Sequence, residues 1–269
     1  VLAREVTLEN MREIKEKADI SLEVFVHGAM CVSYSGRCLL SHYMTGRSAN
    51  LGACAHPCRY KYHLVEEKRP GEYYPIEEDE DGTYILNSRD LCLIEYIPEL
   101  IDIGIDAFKV EGRMKSPLYV ASVASTYRDA IDTYLEKKAK YTAEELEKWL
   151  DELSKTATRP FTNGFIEGES PLLQDINNEK MPERTLFSAI VMGYHDQGLI
   201  KVEQRSNFGP GDNLEFLMPS GEVKPVVIDK IWDEEMNELD RARHPKQKII
   251  FAVDDYSIPE YTILRKVSD

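Results

Sequence analysis

Between Val24 and Val65 the chain has no aspartate and no glutamate, although the 269-residue protein carries a formal net charge of −15. The formal charges in this stretch are Arg37, Arg47, Arg59 and Lys61. Other absences narrow the field. No Gly-x-Ser-x-Gly, His-Glu-x-x-His or paired-aspartate motif occurs, so amide hydrolysis has no visible engine. No apolar run approaches the ~18–20 residues that span a bilayer, and no charged-then-apolar leader is present. The expectation is a cytoplasmic protein with no membrane segment. The chain opens Val1-Leu-Ala-Arg without a methionine, which gives the expectation of a piece of a longer protein. The acidic balance argues against nucleic-acid binding over the whole surface, but leaves room for a local basic site.

Cysteine is scarce and concentrated. Four of the five cysteines fall in the carboxylate-free stretch, as do His27, His42, His56 and His63. The spacing is Cys31-x6-Cys38, then x15 to Cys54 and x3 to Cys58, with Cys92 alone further on. In a long chain of cytosolic type this points to metal or redox chemistry rather than a disulfide scaffold. Three readings stand on spacing alone: buried unliganded thiols, structural zinc, or an iron–sulfur cluster. Zinc favours paired Cys-x2–4-Cys knuckles, and Cys54/Cys58 is the one pair that qualifies. A cluster needs thiolates converging from loops and gains from nearby cations; thiolates carry negative charge that carboxylates would oppose.

Periodicity supplies a coarse layout. Val1–Arg4 reads as the end of a strand, Thr7 caps a helix to Ala18, and Leu22–His27 is a strand. The cysteine loops would follow its C-terminal end, where α/β proteins place their sites. Tyr60–Val65 reads as a short strand, and acidic Glu66–Gly82 as an exposed loop or hairpin. Tyr84–Leu86 is a strand, and Asp90–Ile103 a two-part helix with Pro98 in a first turn and Gly104 as the stop. Ile105–Val110 is a strand running into Lys109-Val-Glu111-Gly-Arg113-Met-Lys115-Ser-Pro117. That strand end, with its cations beside a helix capped by Ser116, forms a candidate anion pocket. Glu111 and Arg113 could equally form a simple salt bridge. Thr142 and Glu145 make a capping box. Beyond Arg159–Pro182 the pattern turns to short strands and turns, expected to form a small β-barrel. The expected domains are 1–158, a linker at 159–183, and 184–269.

Glu23, Phe25, Gly28, Ala29, Met30, Cys31, Gly36, Cys38 and Ser41 follow a known signature. The match continues through Gly52-Ala-Cys54-x3-Cys58-Arg59, Asn87-Ser88-x-Asp90-Leu91, Lys109–Arg113 and Lys115-Ser-Pro117. On these residues the chain resembles the collagenase-like peptidase family U32, and most closely its tRNA-modifying branch. The resemblance covers at least Val1–Lys138, and the C-terminal strands resemble the family's accessory barrel. It implies an α/β fold, the C-terminal part of a TIM-like (β/α) barrel followed by a small all-β barrel domain, with the earlier βα units missing. It further implies a 4Fe-4S iron–sulfur cluster on Cys31, Cys38, Cys54 and Cys58, with Cys92 as the alternative fourth ligand. The implied activity is oxygen-independent hydroxylation of the tRNA wobble uridine, with prephenate, a small dicarboxylate, as oxygen donor. Glu111, Arg113 and His27 become candidate catalytic residues, and Arg37, Arg59, Lys109 and Lys115 candidate substrate contacts. The family's older names imply a protease instead, and a metal-stabilised RNA-binding module is the non-enzymatic alternative. The sequence leaves the tRNA set, the oxygen donor and the oligomeric state open.

Overall fold

The computed structural model describes residues 1–31, 33–59, 64–65, 73–74, 78–79, 82–83, 89–113, 115–168, 184–196, 198–254 and 257–267. It divides into two compact units, Val1–Glu111 with Arg159–Lys180, and Gly112–Thr158 with Met181–Asp269. Composition placed the divisions at 158 and 183. In the structure the two helices between Pro117 and Ser154 cluster with the C-terminal strands instead.

The first unit begins with helix α1 (Leu8–Lys17), capped by the Thr7 side chain as expected. Strand β1 (Glu23–Ala29) follows. After helix α2 (Leu40–Thr45), two short pairings fall at the start of and within the acidic Glu66–Gly82 stretch: β2 (Leu64–Val65) with β3 (Tyr73–Tyr74), and β4 (Glu78–Asp79) with β5 (Gly82–Thr83). Tyr60–His63 and Tyr84–Leu86, read as strand, lie outside the described residues. Next come β6 (Asp90–Cys92), α3 (Ile97–Ile103), β7 (Ala107–Val110) and β8 (Phe161–Thr162).

These strands form one sheet in the order β7-β1-β6-β8. β1 runs parallel to β7 and antiparallel to β6, and β6 runs parallel to β8. A stretch of (β/α) barrel would be parallel throughout, so this mixed sheet departs from the expected arrangement. The cause is β6. Asp90–Cys92 was expected to open a helix, but its residues are buried between β1 and β8, and pairing on both sides overrides helical propensity. Helical structure starts later, with a 3₁₀ turn at Ile94–Tyr96 and then α3, which carries Pro98 in its first turn and ends at left-handed Gly104. Val1–Arg4 is not a strand; Leu2 donates a hydrogen bond to the Glu23 carbonyl at 2.8 Å, without a continuing ladder. The start of the expected linker is structural too, because Phe161–Thr162 completes the sheet.

The second unit holds α4 (Pro117–Lys137), capped by Ser116, and α5 (Ala143–Ser154), which has the expected capping box. Its eight strands are β9 (Thr185–Asp196), β10 (Leu199–Gln204), β11 (Leu214–Leu217), β12 (Val223–Val226), β13 (Ile231–Trp232), β14 (Glu238–Leu239), β15 (Lys248–Ala252) and β16 (Ile263–Val267). All pairings are antiparallel, in the order β12-β11-β16-β9-β10-β15-β13-β14. The expected barrel is therefore an eight-stranded sheet, with no pairing among the described residues between its outer strands β12 and β14. Glu222–Trp232 holds two of these strands, β12 and β13, rather than one. Alternation buries one side: Ile200 and Val202 of β10 meet Val191, Ile249, Phe251 and Leu264 in a single core.

Helices α4 and α5 join this sheet through a buried ion pair. Arg265 on β16 is fully buried and donates two hydrogen bonds to Glu152 of α5, at 2.6 and 2.8 Å. It donates a third to Glu215 of β11, at 2.7 Å. Burial pushes the Glu152 carboxyl up, but the bonds and charge of Arg265, with Lys155, outweigh it and hold Glu152 below its ordinary range. A charge this deep is tolerated because it is paired on two sides.

Candidate metal centre

β1 delivers the first cysteines. Its register against β7 shifts between Phe25 and His27, and at Gly28 the backbone turns to φ 109°. A Cβ there would lie 2.3 Å from the Glu111 carbonyl oxygen, so only glycine lets the end of β7 settle against β1. The Glu111 N–H completes the contact by donating to the His27 carbonyl at 2.9 Å. Cys31 follows two residues beyond the strand. The Arg37 N–H donates to the Tyr34 carbonyl at 3.0 Å, closing a turn that places Cys38 just before α2.

The second pair is pinned to the first. Ser41 of α2 is fully buried, and its Oγ accepts the Ala55 N–H at 3.0 Å. Cys54 is the neighbouring residue. The chain then passes through His56 in the left-handed region, φ 56°, and the His56 N–H donates to Cys54 Sγ at 3.3 Å. Cys58 follows, half-buried, in the 3₁₀ turn Pro57–Arg59.

None of the five cysteines is joined in a disulfide. Cys31 keeps an exposed edge, yet burial is the largest influence on it and pushes its thiol up. The Ser33 backbone hydrogen bond and the Arg4 charge oppose this, while the nearby Cys38 and Cys54 thiols push it further up. Cys31 thus senses both Cys38 and Cys54. Among the described residues, no three His, Cys, Asp or Glu side chains are grouped as a single metal ion would require. Cys92 is buried in β6 directly opposite His27 on β1, inside the sheet rather than in the loops.

The other candidates separate. His27 is buried, with its ring edge-on to Phe161 at 5.5 Å. Arg37 is exposed. Arg59 lies in the Pro57–Arg59 turn, but its side chain is outside what is described. Lys109 Nζ donates to Glu23 at 2.6 Å and stands 5.4 Å from the centre of the Phe25 ring. Arg4 covers the same ring at 3.8 Å. Glu111 is half-buried at the end of the first unit, whereas Arg113, exposed, and Lys115 belong to the second. Lys115 donates to Thr158 Oγ1 at 3.3 Å and lies over the Tyr119 ring. Sequence reasoning missed Arg4 as a neighbour of Cys31, and Glu23 as the partner of Lys109. The second follows from register alone: Lys109 sits opposite Phe25, two residues from Glu23 on the same face.

A family model described as peptidase family U32 matches residues 1–174. The chain belongs to peptidase family U32. A second model, the U32 C-terminal domain, matches residues 183–265. Among curated relatives, tRNA hydroxylation protein P1 of Bacillus subtilis is 41% identical over 268 residues, covering 99% of this chain and 63% of that protein. The tRNA hydroxylation protein P of Escherichia coli is 33% identical, covering 83% of this chain and 57% of its own length. A Porphyromonas gingivalis protein named collagenase is 35% identical over 63% of this chain and 42% of its own length. The chain thus spans less than two thirds of the length of each of these relatives. No described helix is long and apolar enough to cross a membrane.

Proposed function

We propose that this U32 chain carries the cysteine loops of a tRNA-modifying enzyme, one that hydroxylates the wobble uridine without molecular oxygen. The observation that carries this reading is the placement of Cys31, Cys38 and Cys54 in loops free of carboxylates, with Ser41 fastening the loop of Cys54. The names of the Bacillus and Escherichia relatives supply the substrate class.

The donor set fits an iron–sulfur cluster. A single zinc ion would draw its thiolates to within ~4 Å of one another, given Zn–S bonds near 2.3 Å. A four-iron cube spaces its thiolates more widely and tolerates irregular sequence spacing. Cys31, Cys38 and Cys54 would hold it, with Cys58 as fourth ligand, because Cys58 shares the loop system and Cys92 lies within the sheet. Bound there, the cluster would supply redox or Lewis-acid chemistry. The protein's own residues bind and orient. Arg37 and Arg59 bring positive charge to the cysteine loops, suited to a small dicarboxylate such as prephenate. Lys109 is held by Glu23, so it orients rather than roams. Glu111 is the candidate for moving a proton, with its backbone fixed against Gly28. Arg113 and Lys115 belong to the second unit, where they are candidate contacts for anionic groups of the RNA. His27, buried and edge-on to Phe161, supports the β1–β6 pairing that positions Cys31.

The test uses the longer natural protein, expressed in a cell that lacks tRNA 5-hydroxyuridine. Nucleoside mass spectrometry should show the modified base restored by the unaltered protein and absent with Cys54→Ala. Full restoration by Cys54→Ala would overturn the reading.

A further inference from the structure

The second unit contains a cavity of about 480 Å3 between the start of α4, the turn after α5, and strands β9 and β10. Three cations line it, Lys115, Lys155 and Arg205, and the described lining residues include no carboxylate. That is unusual on a chain of net charge −15. Neighbouring carboxylates are shared, which leaves positive charge over. Arg205 pairs with Glu203 at 2.6 Å, but Lys248 pairs with the same carboxylate. Lys155 pairs with Glu152 at 3.1 Å and Asp151 at 3.5 Å. Glu152 also serves Arg265, and Asp151 also serves Arg184.

Hydroxyls complete the lining. Ser206 lies beside Arg205, and Thr158 receives Lys115. Thr156 Oγ1 is shielded from solvent and has no hydrogen-bond partner. A buried hydroxyl without a partner is costly unless something meets it. An arginine that can fork onto phosphate oxygens, two lysines that add positive charge, and hydroxyls that can meet a sugar match a ribose phosphate. The space is larger than an inorganic phosphate needs.

We propose that this cavity binds a ribose-phosphate unit of an RNA backbone and so docks substrate RNA on the C-terminal unit. The proposal extends the tRNA reading but does not depend on the cysteines. The experiment measures fluorescence anisotropy of a labelled seven-nucleotide RNA with the whole chain, across a series of salt concentrations. Arg205→Gln should weaken binding about tenfold and lower the slope of log affinity against log salt by roughly 0.7. Arg205→Lys should recover part of the loss. Thermal unfolding confirms that the variant is folded; should it not be, Lys115→Gln replaces it with the same expectation. Unchanged affinity and slope in a folded variant would overturn the proposal. Adenosine monophosphate competing as strongly as the oligonucleotide would show that the site takes a free nucleotide, which overturns the RNA assignment. Arg205→Gln should keep the iron content of the unaltered chain, so failure of the cluster reading and failure of this one are separable.

Discussion

Ser41 Oγ accepts the Ala55 N–H at 3.0 Å and thereby fastens the Cys54 loop to the helix that follows Cys38. Ser41 is completely buried, so water cannot replace the bond. Ser41→Ala should cost about 1–3 kcal/mol, the penalty for a buried donor left without a partner. It should also speed alkylation of Cys54 by a thiol reagent relative to the unaltered chain. Equal stability and equal alkylation would show that the two loops are fastened elsewhere.

Gly28 is where β7 presses on β1. With φ 109° and a virtual Cβ 2.3 Å from the Glu111 carbonyl oxygen, Gly28→Ala meets strain and a backbone clash together. It should destabilise the chain by at least about 2 kcal/mol in denaturant unfolding. Gly36→Ala is the comparison. Nothing lies within 4 Å of its virtual Cβ, and only the left-handed backbone, φ 73°, penalises it, so its loss should be smaller.

The sequence disclosed the local devices well. The Thr7 and Ser116 caps, the Thr142–Glu145 box and the Gly104 stop are short-range chemistry, and each stands where its residue pattern placed it. Strand pairing was less legible. Asp90–Cys92 reads as the start of a helix because nothing local tells that β1 and β8 will flank it. The same limit hid the Glu23–Lys109 pair and the bond from Ser41 to Ala55, both of which depend on register or loop path. The cysteine loops were visible because composition marked them. Their spacing still could not choose between zinc and a cluster.

The buried Arg265–Glu152 pair sets an acid limit on stability. Glu152 has its pKa lowered below the ordinary 4.5, so its contribution is fully present above that value and is lost as pH falls through the folded-state pKa. Unfolding free energy should therefore decline as the solution is acidified below about pH 4.5. Glu152→Gln should lose about 3 kcal/mol at neutral pH, by leaving buried Arg265 short of one partner, and should flatten the acid decline. An unchanged pH profile in the variant would place the acid-sensitive charge elsewhere.

Metal content tests the central claim most directly. The chain, expressed and purified without oxygen, should be brown and contain iron and acid-labile sulfide in equal amounts, near four of each per chain when fully loaded. Cys31→Ala, Cys38→Ala, Cys54→Ala and Cys58→Ala should each bleach it, while Cys92→Ala should stay coloured. A colourless chain holding one zinc per molecule would contradict the account, and bleaching by Cys92→Ala in place of Cys58→Ala would contradict the assignment of the fourth ligand.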